Sequence, residues 1–444
     1  FLHKNHIAVW DVIHSCDIIG SSDSSIRNVV PNDLSEILGN ADIRQIFCNG
    51  AKSYEYYRKY QEKETGRKAV KLPSTSPANA AFSIEKLTRA WREICVPLQV
   101  APTGIGEVLL DWYDYNARIL PWRSEPTPYH VWISEIMLQQ TRVEAVKSYY
   151  ARFLEELPDI KALAEVSEDR LLKLWEGLGY YNRARNLKAA AQQVMEEYNG
   201  VFPDTFEEIK KLKGIGSYTA GAISSFVYHQ QKPAVDGNVF RVVTRILEDS
   251  DDIMKASTRT KIEGMLEQVI PVDAPGDFNQ GLIELGAIVC LPNGEPKCEI
   301  CPVSGICLAY QDRCQMDYPV KKKAKERRIE KRTILRFCDN EEIAIRKRPG
   351  KGLLAGLYEF PNVEGHLTQK EVIEYAKESG LTPVRVKKLP KAKHIFSHVE
   401  WHMTGYEILV DELEKEFQNP EIIFAGKKDL EKHYAIPSAF SAYL

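Results

Sequence analysis

Four cysteines in one short stretch constrain this chain more than any other feature. They read Cys290-x7-Cys298-x2-Cys301-x5-Cys307, in a loop after a helical segment at 279–289. Cys314 follows, and Cys16, Cys48, Cys95 and Cys338 are scattered. The start of the chain carries no signal peptide, so a cluster of this kind reads as a metal site before a disulfide framework. Four thiolates suit a 4Fe–4S cluster or zinc. Zinc ribbons and fingers usually present two paired knuckles, and only one x2 pair occurs here, which favours iron–sulfur. No substrate-like motif adjoins the cysteines, so a structural or docking role is expected.

At 444 residues the chain exceeds one ordinary core, and two to four domains are expected. No apolar run is long enough to span a membrane, so no membrane partner is expected. The expected location is cytoplasmic, nucleoid-associated and of bacterial type. The chain begins with Phe1 rather than Met, which suggests a fragment. A net charge of -3 gives no global attraction to polyanions. Any such surface must be local, and residues 321–332 supply a mostly basic run.

The texture changes three times along the chain. Residues 1–95 alternate strand-like and helical segments. A buried strand is expected at 7–13, a helix opened by Pro31-Asn32-Asp33-Leu34, a strand at 43–47, a helix rich in Tyr and Lys, and a strand at 70–72. That alternation predicts a parallel sheet with loops at the strand ends. Residues 96–104 read as a linker, and 105–315 as an all-α region. Asp204-Thr205-Phe206-Glu207 and Ser167-Glu168-Asp169-Arg170 look like capped helix starts. Residues 316–332 read as a solvated basic linker. From 333 to 444 a small α+β domain follows, with strands at 333–338, 342–347, 394–396 and 402–409 and an amphipathic helix at 368–379.

Within the helical region, Leu212-Lys213-Gly214-Ile215-Gly216-Ser217-Tyr218 joins two helical segments through a Gly-x-Gly turn. Gly214 and Gly216 allow a sharp turn whose amides face outward at a helix N-terminus. Such a helix–hairpin–helix grips a DNA phosphate through backbone rather than bases. A plain glycine turn between helices is the alternative for this motif taken alone. Asp236, in Val235-Asp236-Gly237-Asn238-Val239, reads either as a helix N-cap or as a functional carboxylate.

These motifs together resemble the MutY adenine DNA glycosylases. Pro121-Trp122-Arg123, Ser134-Glu135-Ile136-Met137-Leu138-Gln139-Gln140-Thr141, Gly177-Leu178-Gly179-Tyr180-Tyr181, the Gly-x-Gly turn, the Asp236 segment and the four cysteines occur in that family's order. The family belongs to the helix–hairpin–helix, iron–sulfur superfamily that includes endonuclease III, and the resemblance covers about three quarters of the chain. One departure is the x7 gap after Cys290, where x6 is commoner; the extra residue falls near Pro292-Asn293-Gly294.

The resemblance implies an enzyme that removes adenine mispaired with 8-oxoguanine or guanine from double-stranded DNA. It implies a 4Fe–4S cluster on Cys290, Cys298, Cys301 and Cys307, and a monomer is expected. Glu135 would protonate adenine at N7, which needs a carboxyl of raised pKa in a dry pocket. Its neighbours Trp132, Ile133, Ile136 and Met137 are apolar, so a solvated surface Glu would be out of place there. Asp236 would stabilise the sugar cation electrostatically. The adenine must leave the stack to be reached. Gln139 and Tyr180 would wedge into the duplex, with Gln140 and Thr141 beside them. Arg118, Trp122, Arg123 and Glu284 would line or brace the base pocket; core packing for Trp122 and surface charge for Arg123 and Glu284 are the plain alternatives. Bifunctional relatives carry a Lys where this chain has Tyr218, and a phenol forms no imine, so a monofunctional glycosylase is implied.

The C-terminal region resembles the MutT-like (Nudix) domain of the same family. Its expected metal helix, 372–380, offers only Glu374 and the pair Lys377-Glu378, so nucleotide hydrolysis is not expected. Phe396-Ser397-His398 resembles the loop that reads 8-oxoguanine. The front segment resembles the hypoxanthine branch of the uracil-DNA glycosylase superfamily, through Val9-Trp10-Asp11, Asn49-Gly50-Ala51-Lys52 and Pro73-Ser74-Thr75-Ser76-Pro77-Ala78-Asn79-Ala80. Only the C-terminal half of such a domain is matched, so this segment is expected to be catalytically inert. Two other readings stand beside the main one: an endonuclease III-like glycosylase and lyase, and a lesion-binding protein without catalysis.

Overall fold

The protein is described here by a computed structural model covering residues 7–20, 25–41, 43–76, 84–91, 94, 105–322, 326–411 and 421–444. It divides into two compact units, Phe1–Thr103 and Gly104–Leu444.

In the first unit, strands Ile13–Asp17 and Arg27–Pro31 pair antiparallel. Strands Ile46–Asn49 and Ala69–Leu72 pair in parallel. Helical turns Ala51–Tyr56, Tyr57–Gln61 and Glu62–Thr65 connect that parallel pair, as a parallel crossover requires. Gly66 ends the crossover with φ 65, a left-handed position that suits glycine. The sequence expectations need four corrections here. The first strand starts at Ile13, not at residue 7, and Val9 and Trp10 are 70% and 46% exposed. The strand expected at 43–47 lies at Ile46–Asn49. The sheet is not uniformly parallel. The helix after Asp33 begins at Ser35 with Leu34 at its cap, while Asp33 accepts the Ser35 amide at 2.8 Å. Of the Pro73–Ala80 loop, Pro77, Ala78, Asn79 and Ala80 lie outside the described residues, as do Cys95 and the linker 96–104. In the described part, the Asn49 amide donates to Thr75 Oγ1 at 2.8 Å and its carbonyl accepts the Thr75 amide at 2.9 Å.

From Ile105 to Gln311 the described residues are helices and turns. Side chains cap the helices where the sequence offers them: Asp159, Ser167 and Thr205 each accept a backbone N–H three residues on. Two apolar cores form. One gathers Trp132, Phe153, Trp175, Leu187 and Ile223. The other gathers Leu109, Phe240, Phe278 and Leu282 and runs on to Cys307.

The C-terminal region is a seven-stranded sheet. Its long central strand Arg328–Asp339 pairs in parallel with Val399–Val410, and Pro383–Ile395 runs antiparallel beside the latter. Helix Gln369–Glu378 starts with a reciprocal capping box between Thr368 and Glu371. The central strand begins five residues inside the expected linker 316–332, because residues 328–332 are tied edge to edge to 399–403. The C-terminal elements Ile423–Gly426, Lys427–His433 and Ser438–Tyr443 were not foreseen from the sequence.

The sheet region docks on the helical region through polar contacts. Lys173 Nζ donates to the carbonyls of Leu430 and Tyr434 at 3.2 and 2.9 Å. Glu176 accepts the Ile436 amide at 2.6 Å, and Lys347 pairs with Asp169 at 2.6 Å. Arg185 pairs with Glu168 and donates to the Ala355 carbonyl.

Candidate active site

Helix Pro128–Leu138 is apolar on nearly every face and buries eight of its residues, Glu135 among them. Pro128 opens it at a position where no amide is needed, and Thr127 caps it. Glu135 is 6% exposed. The Tyr218 hydroxyl donates to its Oε2 at 2.6 Å. Burial raises the Glu135 pKa to about 7; Asp236 pushes the same way, while the Tyr218 hydrogen bond and Arg123 oppose it. A carboxyl held near neutrality can carry a proton at physiological pH and release it to a base. Tyr218 engages one of the two carboxyl oxygens, Oε2. Burial and the two nearby carboxylates raise the Tyr218 phenol well above its ordinary range, so it stays a donor.

Tyr218 reaches Glu135 because the Gly-x-Gly turn places it in the first turn of helix Ser217–Phe226. Gly214 has φ +77, and a Cβ there would meet the Asn186 side chain at 2.6 Å. Any other residue would therefore be strained twice, by backbone and by contact. Gly216 is the extended N-cap of the second helix and is exposed, as a phosphate-facing turn requires.

Asp236 satisfies both of its sequence readings. It is the N-cap of helix Gly237–Leu247, with Oδ1 accepting the amides of Asn238 and Val239 at 2.8 Å each. Asn238 Nδ2 donates to Oδ2 at 2.7 Å. Burial raises the Asp236 pKa, and the Val239 and Asn238 hydrogen bonds pull it back toward the anion. Glu135 belongs to a helix of the first core and Asp236 to a helix of the second, so the two carboxylates meet where the cores face each other.

Glu284, on helix Pro275–Ile288, is fully buried and holds two arginines. Arg118 donates from Nε to Oε1 at 2.5 Å and from Nη2 to Oε2 at 3.1 Å; Arg123 donates to Oε2 at 2.9 Å. Burial would raise this carboxyl, but the guanidiniums outweigh it and hold Glu284 below its ordinary range. The surface-charge alternative therefore fails for Glu284. Trp122 is 5% exposed and packs edge-on against Tyr150 at 5.5 Å, so it is also part of the core.

The expected duplex-facing residues sit on two turns. Gln139 ends helix Pro128–Leu138, Gln140 has φ 57, and Thr141 closes the turn onto the Leu138 carbonyl. Tyr180 has φ 48 and is 51% exposed, an aromatic ring held out in solvent. Phe396, Ser397 and His398 form the tight connection between strands Pro383–Ile395 and Val399–Val410. Phe396 packs on Trp401 at 4.9 Å, and Ser397 and His398 are exposed.

Cys290, Cys298, Cys301 and Cys307 line one cavity beneath helix Gly237–Leu247, walled by Val242, Ile246, Leu285 and Val303. Arg245 donates to Cys290 Sγ at 3.3 Å, and Gln315 lies 3.6 Å from Cys298 Sγ. Among the described residues no three His, Cys, Asp or Glu side chains converge tightly enough to hold a single metal ion. Thiols spread around a cavity, with a cation beside one sulfur, fit a polynuclear cluster. The loop between Cys290 and Cys298 turns at Gly294, whose φ is +75.

Sequence reasoning passed over the arginines that bind these parts together. Arg241 donates to the carbonyls of Cys290 and Gly286 and to Asn238, and so ties the Asp236 helix to the cysteine loop. Two arginines four apart, Arg241 and Arg245, in the otherwise apolar run 239–247 were the available signal.

Comparison with known proteins agrees with this geometry. Residues 133–268 match the family of HhH-GPD superfamily base excision DNA repair proteins, and residues 333–444 match the NUDIX domain. The adenine DNA glycosylase of Mus musculus is 33% identical over 417 residues, covering 78% of this chain and 80% of its own length. That of Buchnera aphidicola subsp. Schizaphis graminum is 36% identical over 317 residues, covering 71% of this chain and 90% of its own. A solved thermostable thymine-DNA glycosylase is 28% identical over 51% of this chain and 99% of its own, with a TM-score of 0.43. With a helical glycosylase region, a Nudix-like domain and relatives of one name along most of its length, the chain belongs to the adenine DNA glycosylase family and cleaves the N-glycosidic bond of adenine in DNA.

Proposed function

We propose that this protein is a monofunctional, monomeric glycosylase that acts on adenine paired with 8-oxoguanine or guanine and leaves an abasic site. The observation that carries the reading is the buried Glu135 with its pKa near 7, partnered by the Tyr218 phenol and by no lysine. Protonated Glu135 gives its proton to adenine N7. The C1′–N9 bond then breaks, and its electron pair leaves with the neutral base. The sugar cation that remains faces the carboxylate of Asp236, whose own hydrogen bonds fix it in place and favour its anionic form. A water molecule adds to C1′ and passes its proton to Glu135, which restores the acid. Tyr218 holds Glu135 in place and supplies no amine, so no imine forms and the strand is left intact.

Gln139 and Tyr180 enter the duplex where the adenine leaves, with Gln140 and Thr141 beside them. Arg118 and Arg123, fixed by Glu284, and Trp122 shape the base pocket. The Gly214–Gly216 turn takes a phosphate. The Ser397 hydroxyl, exposed at the tip of a hairpin, suits a hydrogen bond to the edge of 8-oxoguanine, with Phe396 and His398 beside it. Cys290, Cys298, Cys301 and Cys307 would hold a 4Fe–4S cluster, whose contribution is to fix the loop after residue 288 against the Asp236 helix.

Single-turnover assays on duplexes carrying adenine opposite 8-oxoguanine, guanine or thymine test the reading. Base release should be fastest opposite 8-oxoguanine and absent opposite thymine, with no protein–DNA adduct after borohydride. Equal rates on all three duplexes, or a trapped adduct, would overturn it. Iron and acid-labile sulfide near four each per chain would be the expected metal content.

A further inference from the structure

One side chain spans both turns that the previous reading assigns to the duplex. Arg183 lies in the first turn of helix Asn182–Glu197, and its guanidinium reaches back toward the end of helix Pro128–Leu138. Nη1 donates to the carbonyls of Ile136, Met137 and Gln139 at 2.7, 3.2 and 2.6 Å. Nη2 donates to those of Leu178 and Gly179 at 3.0 and 3.2 Å. The first set are orphan acceptors at a helix C-terminus, where a cation is favoured. The second set belong to a turn with little regular structure of its own. The guanidinium also lies over the rings of Trp175 and Tyr180, 5.4 and 5.7 Å from their centroids.

Both turns are strained. Gln140 and Tyr180 have φ 57 and 48, left-handed values that side-chain-bearing residues adopt only when their surroundings hold them. Gly177 and Gly179 are left-handed as well. A Cβ on Gly177 would meet the Tyr149 hydroxyl at 2.1 Å, so the turn admits only glycine at that position. Five carbonyls from two separate chain segments meet one fork of N–H donors. A lysine offers a single point charge and cannot span them.

We propose that Arg183 is a positioning residue that presets the 139–141 and 178–180 turns as one rigid wedge before DNA arrives, so that Tyr180 and Gln139 enter the duplex without first having to be ordered. The proposal rests on the wedge reading of those turns. Arg183 touches neither the base nor the sugar; it acts through Tyr180 and Gln139. Its effect therefore falls on extrusion of the adenine and not on cleavage of the bond.

The test uses the full chain and two duplexes. One holds adenine opposite 8-oxoguanine; the other holds it opposite an abasic-site analogue, where it is already unpaired. Single-turnover rates are measured for the wild type, Arg183→Lys and Tyr180→Ala, with 2-aminopurine fluorescence at the target position as the readout of unstacking. Arg183→Lys should slow base release about ten- to a hundredfold on the paired duplex, the effect of losing two or more carbonyl hydrogen bonds to a cation. On the unpaired adenine the deficit should shrink to about threefold or less, and the fluorescence rise should be slowed only on the paired duplex. An equal deficit on both duplexes would mean general damage and would overturn the proposal, as would the absence of any deficit. A selective deficit in Tyr180→Ala with none in Arg183→Lys overturns the proposal and leaves the wedge intact. No selective deficit in Tyr180→Ala removes the wedge and the proposal together.

Discussion

Glu135 and Glu284 are both buried carboxylates in the same helical region, yet they are pushed to opposite protonation states. Burial raises Glu135 to about 7 and Asp236 adds to the rise, while the Tyr218 hydrogen bond and Arg123 offset only part of it. Glu284 is just as enclosed but sits in the fork of two guanidiniums, which hold it ionised. Burial therefore does not decide which carboxylate is an acid; the partner does. One glutamate is left a proton to give. The other is spent on holding Arg118 and Arg123 still.

The contrast can be broken most severely at Glu135. Glu135→Gln keeps the shape but removes the transferable proton, so single-turnover adenine release should fall about 10²- to 10⁴-fold while duplex affinity stays within about threefold. A rate near wild type would end the assignment of Glu135 as the acid. Asp236→Asn comes next. Asparagine caps a helix as well as aspartate does, so thermal stability should hold, while loss of the negative charge should slow release by about 10²-fold. Reduced stability with an unchanged rate would make Asp236 a cap and nothing more.

Glu284→Gln tests the other member of the pair. It leaves two guanidiniums without their anion, and urea unfolding should show a loss of about 2–4 kcal/mol, below the full cost of a broken buried pair because Arg118 is partly exposed. Unchanged stability would show that the cluster is held by other contacts. Tyr218→Phe should have the smallest effect. Its hydroxyl favours the ionised form of Glu135, so its removal should push that pKa up. Base release needs the protonated acid. In the wild type it should therefore decline as pH rises through about 7, and in the variant that decline should move to higher pH. A downward shift, or none, in the pH–rate profile would contradict the 2.6 Å hydrogen bond as the source of the coupling.

Much of the setting of Glu135, the proposed acid, was legible in the sequence. A glutamate flanked by Trp132, Ile133, Ile136 and Met137 on one helix must be buried, and burial sets the direction of its pKa. The same logic could not separate it from Glu284, whose neighbours Leu282, Ile283 and Leu285 are also apolar. What differs is the cation, and it comes from 161 or more residues earlier in the chain. The front unit was the least legible part. Its first strand was placed on the apolar run 7–13, but the strand begins at Ile13 and Val9 and Trp10 are exposed, because an apolar run alone does not say which side chains find a face to bury.

By itself the sequence determined the local matters: four thiols in one loop, a phenol at 218, a glycine at 214 where the turn needs a left-handed residue, and caps at helix starts. These depend on residue type and short spacing, which the chain carries openly. Only the tertiary structure decided which partner each buried charge received, that residues 328–332 join a sheet instead of remaining a linker, and that Arg183 binds two distant turns. The reason is physical. The acceptors of Arg183 are backbone carbonyls, and every residue carries one. Their convergence on one guanidinium is a property of packing, written in no motif.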